Sequence, residues 1–299
     1  MKQRLNTMRK AISRISLLWS IRLIRLISRL LPYSFGVQAG AALGFIGYYL
    51  LPRERKRALT HLALVFKDRE DAWIRRTARG SFMHLGKSML EIMLMTPERL
   101  AAIADFPGEA NLRDALAAGK GVVYVTGHIG NWELCGGVIA QHFPLSVVAA
   151  PIEPAPLNEM LVGLRERTGM KIILRGKPGA SRQLIRIFKE NRILGLLIDQ
   201  DTDVEGAFVD FMGRLAWTPT AAASMAIKFN APVVFGYTRR GRDNRHTVVV
   251  EGPLELVRTD NIEQDIITNT ALFNRKIEEC IMREPEQWVW MHRRWRKQP

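Results

Sequence analysis

The alternation of apolar and polar positions divides the chain into a helical beginning and a mixed remainder. Residues 12–31 read as an amphipathic helix: Arg14, Arg22, Arg25 and Arg29 gather on one face, and Ile12, Trp19, Leu23, Ile27 and Leu30 on the other, before Pro32 stops it. A second run, 36–51, is apolar, uncharged and rich in Gly and Ala. At about 1.5 Å per residue it falls short of a bilayer core of about 30 Å. Three readings stay open for it: interfacial insertion, a full crossing extended through Leu30, Leu31 and Tyr33, or a helix packed on the rest of the protein. Residues 69–94 carry a helical stripe of Trp73, Ala78, Phe82, Leu85, Met89 and Ile92, and Thr96 with Pro97 opens another short helix. From residue 121 the texture changes. Strands are expected at 121–126, 145–150, 171–174, 193–198, 232–238 and 246–251. Helices are expected near 131–141, 156–168, 180–190, 219–229 and 263–283. Alternation of this kind predicts a parallel or mixed sheet covered by helices.

These elements predict an α/β fold: a single mixed-sheet domain over 58–299, flanked by helices and preceded by a membrane-associating helical segment over 1–57. No repeat or low-complexity linker divides it. The N-terminus lacks the form of a cleavable signal peptide, because arginines break its apolar run.

Charge sharpens the picture. A net charge of +15 implies anionic partners such as nucleic acid, an acidic protein or an acidic lipid surface. Up to Arg57 there are twelve Lys and Arg against one acid, Glu54. The cluster Arg53, Arg55, Lys56 and Arg57 suits anionic headgroups. The tail from Trp288 to Lys297 is basic and aromatic together, and reads as a second surface-seeking segment. Nucleic-acid binding would need aromatics interleaved with arginines on a recognisable module, and only the last twelve residues have that texture, so no nucleic-acid partner is expected. Cys135 and Cys280 have neither metal-ligand nor disulfide-framework spacing and read as reduced, buried thiols.

The candidate chemistry begins where the apolar run at 122–126 empties into Gly127, His128, Ile129, Gly130, Asn131, Trp132 and Glu133. His128 is placed as a general base, with Glu133 five residues on to fix its tautomer. Asn131 is placed to cap the helix carrying Glu133. A second strand, at 193–198, ends in Asp199, Gln200 and Asp201, which a parallel sheet brings to the same edge as His128. Asp199 is a candidate to support the imidazole or hold a substrate hydroxyl. Arg165 and Arg175 are candidates to clamp phosphates or stabilise an oxyanion. Phe208, Val209, Phe211 and Met212 suit a hydrophobic groove or an ordinary core strand, and Thr218 with Pro219 suits a helix start. His142, His246 and His292 have no partner by sequence. No GxSxG elbow, P-loop, Rossmann fingerprint or metal-ligand cluster occurs, and neither metal nor cofactor is expected.

Taken in order, these blocks resemble the late acyltransferases of lipid A biosynthesis, the lauroyl/myristoyl transferase family. The resemblance rests on residues 127–133, on Asp199, Gln200 and Asp201, on residues 208–213 with Thr218 and Pro219, and on the tail from Pro285 to Trp295. It implies a membrane-anchored α/β enzyme at the cytoplasmic face of the inner membrane. Such an enzyme moves a fatty acyl chain from acyl carrier protein, or coenzyme A, to a hydroxyl of a lipid A precursor. The family's catalytic pair falls on His128 and Glu133, and Asn131, Gln200, Phe208, Phe211 and Arg214 fall among positions expected to meet substrate. Asp210, Thr202 and His61 depart from the family pattern, which bears on acceptor and chain-length specificity. The runner-up is an acyl-CoA-dependent transferase acting on a lysophospholipid, ornithine lipid or glycolipid.

Overall fold

A computed structural model of the protein describes residues 32–299. The amphipathic helix expected at 12–31 lies outside the described residues. The helical region that follows comprises α1 (Tyr33–Leu50), α2 (Pro52–Val65), α3 (Asp71–Leu94) and α4 (Pro97–Ile103). β1 (Ala104–Asp105) and α5 (Glu109–Ala117) lead into the alternating part. There β2 (Val122–Thr126), α6 (Trp132–His142), β3 (Leu145–Ala149), α7 (Ala155–Arg167), β4 (Lys171–Leu174), α8 (Ala180–Lys189) and β5 (Ile193–Leu197) follow in turn. A hairpin, β6 (Gly206–Phe211) and β7 (Arg214–Pro219), precedes α9 (Ala221–Lys228), β8 (Val233–Arg240), β9 (His246–Glu251) and α10 (Ile262–Arg283).

Seven strands form one mixed sheet in the order β1-β9-β8-β2-β5-β3-β4. All neighbours are parallel except β8 and β9, joined as an antiparallel hairpin. β2 is central because its sequence, Val-Val-Tyr-Val-Thr, is buried at every position. β-branched and aromatic residues without polar alternation suit a strand covered on both faces. The mixed sheet flanked by helices is the architecture the residue pattern predicted. The elements it missed are β1, α2, α5 and the pairing of β6 with β7 as a hairpin, although a core strand was one of two readings of residues 208–212. Thr218 and Pro219 end β7 rather than opening a helix, and the N-terminal cap position belongs to Thr220.

α1 shows why its stretch lacks large residues on one side. Gly36, Gly40 and Gly44 recur every fourth position and lie buried against α3. A Cβ at Gly44 would come 2.2 Å from the Phe82 carbonyl oxygen, and one at Gly40 would come 2.6 Å from that of Gly86. Only bare backbone permits this approach, as in helix pairs built on small residues. The surface of α1 outside this contact exposes Phe35, Leu43, Ile46 and Leu50, the last at 72%. No single described helix is long and apolar enough to cross a membrane; α1 and α2 pass that test only as a pair bent by 92°.

The basic, aromatic tail is not a surface segment. Trp288, Trp290 and Arg294 are at most 1% exposed. The Arg294 guanidinium donates to the Trp217 carbonyl and the Thr218 hydroxyl and stacks 4.4 Å from the Phe211 ring. Arg57 and His61 of α2 bind the carbonyls of Met291 and Trp290. The tail's apolar rings complete the core while Arg294 finds buried acceptors, so composition alone misplaced it.

Candidate active site

β2 and β5 are parallel neighbours, with Thr126 opposite Leu197. Two residues beyond each lie His128 and Asp199, so the register alone sets them side by side at the carboxyl edge of the sheet. His128 Nδ1 lies 2.7 Å from Asp199 Oδ1, and the His128 backbone N–H donates to Oδ2 at 2.7 Å. The Trp288 indole N–H, 89 residues downstream, donates to the same Oδ2 at 2.8 Å. Asp199 is fully buried. Burial by itself would raise its pKa, yet the His128 imidazole and these donors hold it well below the usual carboxylate range. An ionised carboxylate accepts only, so Nδ1 carries the hydrogen and His128 Nε2 presents a lone pair.

That lone pair faces Gln200, whose amide nitrogen lies 2.8 Å from His128 Nε2. The same nitrogen also contacts His292 Nε2. Burial pushes His292 down to about 4, which keeps it neutral and able to accept. The loop that holds the base is tight: Gly130 sits at φ 61°, and a Cβ there would come 1.8 Å from the Thr238 carbonyl oxygen. Only glycine fits both the dihedral and the space.

The Glu133 carboxylate does not meet the His128 ring in the structure. In the first turn of α6, that carboxylate is held by Arg165 of α7 in a bidentate pair, Nε to Oε2 at 2.8 Å and Nη2 to Oε1 at 2.6 Å. The expected imidazole–acid contact is formed by Asp199 instead. The spacing of five residues places Glu133 on the helix after the turn, where it faces α7. The adjacent strand end, two residues past the ladder, faces the ring.

His128, Glu133, Arg165, Arg175 and Gln200 all line one cavity of about 480 Å³. Its remaining wall is mainly apolar, with Val147, Val148, Ile152, Leu161, Leu196 and Met225 among its residues. Cys135 contributes a thiol that burial pushes up to about 12, hydrogen-bonded to the Tyr124 hydroxyl at 3.0 Å, so it presents a neutral surface. Arg175 stands just past β4 and, among the described residues, has no acid partner.

Other expected positions lie apart from this wall. Asn131 caps α6, accepting from the Leu134 N–H at 3.1 Å, but it is buried and its amide donates to Glu91 at 2.7 Å. It shapes the loop from behind and does not face the cavity. Phe211 packs on Trp288, Trp295 and Arg294 in the core. Phe208 packs on Trp217, and Arg214 is exposed at the hairpin. The hairpin's pleat turns these side chains toward the tail and solvent. The three histidines without a sequence partner all acquire one: His142 with Glu109, His246 with Glu91, and His292 with Gln200. Trp288 and His292 were missed because no spacing rule links a tail to strand ends some 90 residues earlier.

At the sheet edge an imidazole hydrogen-bonded to a buried carboxylate thus opens on an apolar cavity that also carries two arginines. The chain belongs to the bacterial lipid A biosynthesis acyltransferase family, whose model matches residues 3–297. It is 24% identical to the lipid A biosynthesis lauroyltransferase of Escherichia coli over 90% of this chain and 88% of that protein. It is also 24% identical to the lipid A biosynthesis palmitoleoyltransferase of the same organism, over 90% and 87%. A phosphatidylinositol mannoside acyltransferase of Mycolicibacterium smegmatis is 28% identical, but the match spans about half of each chain, 52% of both.

Proposed function

We propose that the protein transfers a fatty acyl chain from a thioester, of acyl carrier protein or coenzyme A, to a hydroxyl of a lipid A precursor. The observation that carries this reading is the Nε2 lone pair of His128, its ring backed by Asp199, at the wall of an apolar cavity. An alcohol must lose its proton as it attacks a thioester, and one well-placed base suffices. The acceptor O–H donates to His128 Nε2, and its oxygen adds to the thioester carbonyl. The tetrahedral intermediate collapses, the C–S bond breaks, and the leaving thiolate takes the proton back from Nε2. Asp199 stays ionised and stabilises the imidazolium between these steps. The apolar wall takes the acyl chain. Arg175, and the outer nitrogen of Arg165 left over from its pair with Glu133, supply positive charge for phosphate groups.

The exposed apolar side of α1 and the basic start of α2 support association with an anionic membrane surface, the cytoplasmic face of the inner membrane on this reading. Incubating purified protein with lauroyl-acyl carrier protein or lauroyl-CoA and a lipid A precursor in vesicles, followed by mass spectrometry of the lipid, tests the whole. Wild type is expected to add one acyl group, and His128→Ala to lose transfer by about 10³-fold or more. Full transfer by His128→Ala would remove the catalytic reading. The likeness to phosphatidylinositol mannoside acyltransferases favours a second acceptor class, the sugar hydroxyl of a glycolipid. Acylation of such a glycolipid in preference to the lipid A precursor would establish it.

A further inference from the structure

The side-chain amide of Gln200 sits where the reaction needs a hydrogen-bond donor, and its second partner lies in the tail. Resting on the acyl-transfer reading above, we infer that Gln200 is the oxyanion donor of the site and that His292 is the positioning residue that aims it. The geometry is specific. The Gln200 nitrogen has two hydrogens and two acceptors, His128 Nε2 at 2.8 Å and His292 Nε2. One tail segment grips both neighbours in the 199–200 pair: Trp288 donates to Asp199, and His292, four residues on, accepts from Gln200. The two imidazole rings stand 5.1 Å apart.

The chemistry follows from what happens at His128. The acceptor oxygen must come within about 3 Å of Nε2 to hand over its proton, which displaces the Gln200 N–H from that lone pair. As the new C–O bond forms, the carbonyl electron pair moves onto an oxygen one carbon away from the attacking atom. At the same moment Nε2 carries a proton and no longer accepts. The freed Gln200 N–H then has the developing oxyanion within reach, while its other hydrogen stays on His292 and limits rotation of the amide. A donor bound to the base in the resting state and to the oxyanion in the transition state stabilises the transition state selectively. When the C–S bond breaks and the thiolate removes the proton from Nε2, the original hydrogen bond is restored.

A four-member cycle tests this: wild type, Gln200→Leu, His292→Leu and the double variant. Each is followed by thiol release from lauroyl-CoA with the lipid acceptor, with KM and kcat separated, and with thermal midpoints recorded. Gln200→Leu is expected to lower kcat by about 10²- to 10³-fold with little change in KM. His292→Leu is expected to lower kcat by about tenfold, and the double variant to match Gln200→Leu alone, since two groups acting as a unit are not additive. His292→Gln places an acceptor oxygen near the position of Nε2 and is expected to recover most of the loss. Normal kcat in Gln200→Leu overturns the donor role. Multiplying losses in the double variant, or failure of His292→Gln to rescue while its thermal midpoint is wild-type, overturn the positioning role, and an effect confined to KM overturns both. Activity retained by His128→Ala would instead sink the acyl-transfer reading on which the inference stands.

Discussion

Asp199→Asn separates the two acids that compete for the role of orienting His128. In the wild type, Oδ2 accepts two hydrogens, from the His128 backbone and the Trp288 indole, and Oδ1 accepts one, from His128 Nδ1. Asparagine has a single oxygen, and the two donors hold it at the Oδ2 position, because the flipped amide would face both N–H groups with its own. The amide NH₂ is then directed at Nδ1. That nitrogen must become an acceptor, so the hydrogen moves to Nε2 and the lone pair leaves the cavity. The same exchange in a Ser-His-Asp triad lowers turnover about 10⁴-fold. A fall in kcat of about 10³- to 10⁴-fold is expected here, or roughly 4–5.5 kcal/mol of barrier at 1.36 kcal/mol per tenfold. Stability should fall far less, by about 1–2 kcal/mol, because the three hydrogen bonds to the carboxylate become neutral while the cost of burying its charge disappears. Steady-state thiol release gives the rate, and ¹⁵N chemical shifts of the imidazole report the tautomer directly. A rate within tenfold of wild type, or an unchanged Nδ1–H tautomer, would refute the assignment of Asp199.

Glu133→Ala is expected to act by another route. It strands Arg165 beside the cavity and should lower stability by about 3 kcal/mol while leaving the His128 tautomer unchanged, and a Glu133→Met/Arg165→Met double variant should recover much of that loss in urea unfolding. Acidification gives a further test. In the unfolded chain histidine takes a proton near 6.5, whereas burial pushes His84 down to about 3 and His292 to about 4. The unfolded state therefore binds more protons as pH falls through that window, so the thermal midpoint should decline from pH 7 toward pH 4. Below the carboxylate range, the stability contributed by Asp199 and Glu91, both held low in the fold, is lost as well. A flat midpoint between pH 7 and 5 would contradict this. Leu43→Glu/Leu50→Glu changes only exposed positions of α1. Sedimentation with anionic vesicles should fall at least tenfold while the circular dichroism spectrum stays intact; unchanged vesicle binding would remove α1 from the membrane contact.

Residue pattern alone determined the α/β character, six strands of the central sheet, and the position of His128 and Asp199 at one edge. These follow from local causes: β-branched runs make strands, parallel strands share an edge, and polar residues just past an apolar run mark the strand's end. The pattern also placed Asn131 as a helix cap, because capping acts over three residues. It did not reveal which acid meets the imidazole. A sequence spacing of five suggested Glu133, but register between β2 and β5 selects Asp199, and register depends on partners 71 residues apart. The tail shows the same limit more sharply. Read linearly, Trp288, Trp290 and Arg294 are sticky and charged and belong at a surface. In the folded chain they fill the core behind the hairpin, where one indole holds Asp199 and one imidazole holds Gln200. Burial of a cation or an indole N–H is favourable only when an acceptor waits for it, and those acceptors come from strand ends and loops brought together by tertiary packing.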